Sequence, residues 1–138
     1  MSSLRIKRLP DWPIRLNEYI VKAQSEQFDL GTHDCCTFAA GAVEAMTGVD
    51  PMADFRGKYD GWKSALKALK KIGKGELYDT LKDKFGEPLR GVYAHKGDVV
   101  MYEDCCGIYL SRFGMFIGEN GIAYVRLRHL EHTFRIPY

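Results

Sequence analysis

The stretch Gly31-Thr32-His33-Asp34-Cys35-Cys36-Thr37-Phe38 joins a helix stop to a helix start, and the fold reads outward from it. Gly31 can take the positive φ that ends an incoming segment. Asp34 is a good N-cap, because its carboxylate accepts from N–H groups that a first helical turn leaves unpaired. Downstream, Cys35, Phe38, Ala39, Ala42, Val43 and Met46 fall at helical spacing, and Gly48 supplies a stop. The spacing predicts a largely buried helix with two thiols in its first turn. Free N–H groups and the helix dipole stabilise an anion there, and a thiol that ionises more easily becomes a nucleophile. The competing reading is that cysteine is a common small core residue.

The 138 residues suit one domain with its own core. A formal net charge of +2 does not point to nucleic acid. Lys67, Lys70, Lys71, Lys74, Lys82 and Lys84 crowd one region, but Asp60, Glu76, Asp79 and Asp83 flank them, as on a solvated helical face. No apolar run reaches bilayer length. Arg5, Lys7 and Arg8 are not followed by a hydrophobic segment, so no signal peptide is expected. The cysteines form two adjacent pairs, Cys35-Cys36 and Cys105-Cys106. That is not the spacing of a secreted disulfide framework, and synthesis in a reducing compartment is expected.

Taken in order, residues 1–10 hold Leu4, Ile6 and Leu9 in an extended lead-in. Asp11 and Pro13 mark a helix start, with Leu16, Tyr19, Ile20 and Ala23 as its apolar stripe and Trp12 just before it. Residues 52–60 read as an irregular loop. Trp62, Leu66, Leu69 and Ile72 make a third helical stripe, and Leu77, Tyr78, Leu81 and Phe85 a fourth, each closed by glycine. The character changes at Gly91. Short strands are expected at 99–102, 107–110, 115–117, 122–127 and 134–136, with connections too short for crossover helices, hence an antiparallel meander. The fold class is α+β, one domain over 1–138, mainly helical over 1–90 and mainly strands over 91–138.

A nucleophile opening a buried helix ahead of a small antiparallel sheet resembles papain-like cysteine hydrolases. Asp34-Cys35, Gly97-Asp98-Val99-Val100 and Gly107-Ile108-Tyr109 resemble the NlpC branch, which cleaves peptide bonds in bacterial cell walls. The chain is more closely similar to a subfamily found in tail gene clusters of tailed phages and prophages. That likeness runs nearly end to end, through Asp11-Trp12, the 31–38 stretch, Ala45-Met46-Thr47-Gly48, Asp50-Pro51, Arg56-Gly57, Gly97-Asp98-Val99-Val100 and Phe134-Arg135-Ile136. The resemblance implies a papain-like fold with the cysteine helix packed on the sheet and Cys35 as nucleophile. It also implies a place in the virion tail among tail-tip or hub proteins, after synthesis in the bacterial cytoplasm.

The resemblance breaks at the base. The active family places its catalytic histidine two residues before the Gly of Gly-Ile-Tyr, and that position here is Cys105. Imidazole can take a proton from the nucleophile and return it to the leaving amine near neutral pH; a thiol is a poor shuttle. His33, two residues before Cys35, is the nearest alternative base in sequence; His95, His129 and His132 lie further along, and the third, imidazole-orienting position has no assigned match. Neighbours on a helix point about 100° apart and neighbours on a strand point to opposite faces. At most one thiol of each pair should therefore face a common point, which argues against a four-thiolate metal site. No metal and no cofactor is expected, and if the fold is papain-like Cys35 and Cys105 should meet as two thiols, a disulfide or half of a metal site. Three functions compete: a structural or assembly part of a phage tail tip with a degenerate papain-like fold, an active cysteine amidase or endopeptidase acting on peptidoglycan during DNA entry, and a small metal- or redox-linked module. None calls for nucleic-acid specificity or a membrane span.

Overall fold

Helix α2 (Cys35–Thr47) lies at the centre of the core, with Phe38, Ala42, Val43 and Met46 fully buried. The computed structural model describes residues 5–138, so Leu4 of the lead-in lies outside the described residues. α2 begins and ends where its sequence says. Thr37 N donates to Asp34 Oδ1 at 2.8 Å and Asp34 N donates to Thr37 Oγ1 at 2.7 Å, a reciprocal cap. Gly48 closes the helix in the left-handed region at φ 81°. α1 (Trp12–Gln24) packs on α2 through Tyr19, whose Oη donates to Phe38 O at 2.8 Å and whose ring stacks on Phe38. Gly41 leaves room for that phenol; a Cβ there would stand inside it. Trp12 is the first residue of α1 rather than its predecessor, and Asp11 forms no side-chain cap, being drawn to Arg15 Nε at 2.8 Å instead.

α3 (Trp62–Lys71) and α4 (Leu77–Phe85) follow the two later stripes. The α3 stripe is less buried than its spacing predicts. Trp62 and Leu66 are 60% and 59% exposed, and Ala68 is the buried residue of the helix. The irregular segment between α2 and α3 supplies Met52, Phe55 and Tyr59, which bind Ala40 of α2 to Ala68 and Leu69 of α3.

Among the described residues the sheet has six strands: β1 (Leu89–Arg90), β2 (Val99–Tyr102), β3 (Cys105–Tyr109), β4 (Phe113–Gly118), β5 (Gly121–Arg126) and β6 (His132–Phe134). Every pairing is antiparallel, and the order is β1-β6-β2-β3-β4-β5. The expected meander therefore holds from β2 to β5 but not at its end. β6 returns to the other side of β2, where Thr133 pairs with Val100, and it separates β2 from the short exposed β1. Val99, Met101, Cys106, Ile108, Met115 and Ile117 face α2 on one side of the sheet. Val100, Tyr109, Phe116 and Leu130 form a second cluster on the other. The β2–β3 turn is two residues long, Glu103 and Asp104, both at positive φ (47° and 60°), as a tight hairpin with right-handed strand twist requires.

The segments around Arg8 and Arg135 are pinned together at the entry to β2. Asp98, fully buried, accepts from Arg8 Nη2 (2.9 Å), Arg135 Nε (2.6 Å), His95 N (2.9 Å) and Ile136 N (3.1 Å). The Arg8 guanidinium also lies 4.3 Å from the ring centroids of Trp12 and Tyr138, and burial pulls its pKa below the usual value against the pull of Asp98. Among the described residues, no helix is long and apolar enough to cross a membrane.

Candidate functional site

The capping carboxylate of α2 does more than start a helix. Asp34 is 3% exposed, and besides Thr37 N it accepts from Gly31 N (2.8 Å) and Tyr59 Oη (2.7 Å) at Oδ2. These donors are all neutral. Burial, and then the hydrogen bond to Asp34, push the Tyr59 phenol far above its ordinary range. Tyr59 thus ties the loop after α2 back over the helix mouth.

Three sulfurs gather at that mouth. Cys35 Sγ and Cys36 Sγ are 3.8 Å apart, and Cys106 Sγ lies 3.9 Å from Cys36 Sγ and 3.7 Å from Cys35 O. All three lie within 4.8 Å of one another. The expectation that one thiol at most from each pair would face a common point is corrected on the helix side. The divergence applies to the Cβ directions, and rotation about each Cα–Cβ bond still lets the two sulfurs come within 3.8 Å. On β3 the alternation holds. Cys106 is buried against α2, and Cys105 is exposed at the strand's start.

The charge follows the contacts. Hydrogen bonds from Cys106 and then Cys35 hold the Cys36 thiol well below its usual range, against the cost of burial. The Cys106 thiol is pushed up by Cys35, by Cys36 and by burial. Cys105 is also pushed up, first by its neighbour Cys35 and then by burial. The sulfur that the surroundings favour as an anion is therefore Cys36, one residue past the expected nucleophile.

The four cysteines line a cleft of about 600 Å³ with otherwise mostly apolar walls, among them Phe28, Leu66, Leu69, Leu77 and Phe85. Trp62 and Glu119 stand on its rim, where Trp62 Nε1 donates to Glu119 Oε1 at 2.9 Å, and Phe28 stacks beside Trp62. The exposed α3 residues Trp62 and Leu66 thus wall the cleft rather than the core. No histidine is among the cleft's lining residues. His33 is buried, and its backbone pairs with that of Asp29 (His33 N to Asp29 O, 2.7 Å). Its Nε2 has no partner among the described residues, and it makes no hydrogen bond to Cys35. His95 meets Tyr138 Oη, His129 meets Arg128, and His132 packs on Tyr78.

Cys35 and Cys105 both line the cleft, Cys35 from α2 and Cys105 from β3. The roles of Cys36, Cys106 and Tyr59 were not signalled. Cys106 could have been found from the two-residue turn, which fixes the face it occupies; Tyr59 is an aromatic that could line a groove, but nothing in the sequence signals its bond to Asp34. Chemically the cluster offers soft, electron-rich ligands and a thiolate, but no group that shuttles a proton near neutral pH. Comparison with curated proteins and with solved structures gave no match. The family described as Domain of unknown function (DUF6950) matches residues 7–136, and the chain belongs to that family.

Proposed function

We propose that the protein is a part of a phage tail tip or hub, with an NlpC-type papain-like fold that has lost its catalytic base and serves in structure or assembly. The observation that carries this reading is the composition of the cleft. A cysteine opens the buried helix, the strand bearing Gly107-Ile108-Tyr109 packs against it, and the cleft between them is lined by sulfur with no imidazole among its lining residues. Loss of the base from a coupled catalytic pair removes several orders of magnitude of rate. The virion placement rests on the resemblance to tail-cluster proteins. The outer edge of the sheet suits a partner: β5 has Ile122 and Tyr124 36% and 51% exposed, and among the described residues no strand pairs beyond it.

The test is made on particles. Purified tails should contain the protein at fixed stoichiometry, and Cys35→Ala should assemble and infect like the parent. Tails that lack the protein from every particle would rule the reading out. A second reading, a cysteine amidase or endopeptidase acting on peptidoglycan, draws on the thiolate favoured at Cys36 and the helix-mouth thiol beside it. It requires peptidoglycan turnover that disappears in Cys35→Ala or Cys36→Ala; equal turnover in both variants and the parent removes it.

A further inference from the structure

We propose that Cys35, Cys36 and Cys106 form a three-thiolate zinc site whose fourth coordination position opens into the cleft. The sulfur spacing fits the ion. Zinc–sulfur bonds of about 2.3 Å in tetrahedral array place the sulfurs ~3.8 Å from one another. The two closest separations here are 3.8 and 3.9 Å, and the third is no more than 4.8 Å. The ligands come from two elements, the first turn of α2 and the inner face of β3, so the ion would join helix to sheet. Three sulfurs exclude magnesium and calcium, which take oxygen, and suit zinc among common divalent ions.

Charge points the same way. Asp34 sits beside the sulfurs, and no ion pair among the described residues includes it. Lys84, the basic residue that lines the cleft, is paired with Asp54 instead. The helix mouth therefore collects anionic groups without a resident cation. Cys105 stands outside the group of three, which leaves the fourth position to water or to a solute donor entering the cleft. Binding turns any remaining thiol ligands into thiolates and releases their protons to the buffer. The proposal does not depend on the phage-tail reading.

The reduced full-length protein, freed of metal by a chelator and titrated with zinc alone, should take up one ion in native mass spectrometry. Cobalt(II) at the same site should give thiolate charge-transfer absorption. Cys36→Ser and Cys106→Ser should each weaken zinc about a hundredfold in competition with a chromophoric chelator, while Cys105→Ser leaves it unchanged. Should a serine variant fail to fold by circular dichroism, alkylation of the unmutated protein decides. Zinc should slow carbamidomethylation of Cys35, Cys36 and Cys106, mapped by peptide mass, and spare none of Cys105. No zinc uptake, loss in Cys105→Ser equal to that in Cys106→Ser, or protection shared equally by all four thiols would overturn the site.

Discussion

Among the described residues two aspartates are buried, each at the start of an element, and they are satisfied in opposite ways. Asp98 at the entry to β2 meets two guanidinium groups and two backbone amides. Asp34 at the start of α2 meets two amides, a phenol and the Thr37 hydroxyl. The first is opposed by two cations; the second is met by neutral donors alone, beside the positive end of the helix dipole. Both arrangements satisfy the oxygens. Only the first ties distant chain segments by charge, drawing residues 8, 98 and 135 to one point. The second leaves the sulfur cleft electronegative. The difference teaches that a fully bonded carboxylate can still leave charge available to a ligand.

The sharpest way to break this contrast is to remove both charges without removing the shape. Asp98→Asn leaves Arg8, 5% exposed, without its counter-charge, and should cost about 3–5 kcal/mol in urea unfolding. Asp34→Asn loses part of a cap but strands no cation, and should cost about 1–2 kcal/mol. Equal costs for the two variants would abolish the distinction. A third measurement concerns pH. Tyr59 and Tyr19 are both held protonated above their ordinary value of 10.0, chiefly by burial. The stability they contribute is present below pH 10 and is lost as pH rises above it, because only the unfolded chain releases the proton. Each retained proton steepens the decline by at most about 1.4 kcal/mol per pH unit, less for a partly exposed ring. Tyr59→Phe should flatten the fall in urea midpoint between pH 10 and 11. The smallest effect belongs to a third aspartate, on the surface: Asp11→Ala removes an exposed ion pair with Arg15 and no cap bond, and should leave the unfolding midpoint where it is.

How much of this was legible depended on range. The bounds of α2 were readable because Asp34, Thr37 and Gly48 act within one turn of themselves. The end of α4 at Gly86 was readable for the same reason. The antiparallel pairing followed from loop length alone. The bond from Arg8 to Asp98 spans 90 residues, and no local pattern announces it. β6 was misplaced in the topology because the path of 127–131, which brings Glu131 N to Met101 O, is set by packing rather than by turn residues. The α3 stripe was legible as apolar, but spacing does not tell a cleft wall from an interior, and Trp62 and Leu66 wall the cleft. Cys35 and Cys105 stood out in the sequence as candidates, and both line the cleft. The centre of charge at Cys36 was not legible, because that depends on which sulfurs donate to which.

The two-residue turn at Glu103 and Asp104 carries a further consequence. A strand's side chains alternate, so moving its register by one residue exchanges its faces. One residue added to that turn would turn Cys106 outward and swing Cys105 toward the helix. The molecule's inner sulfur is thus selected by two acidic residues in an unfavoured backbone conformation, neither of which touches it. Replacing them with Asn-Gly should make that selection firmer, and lengthening the turn should undo it.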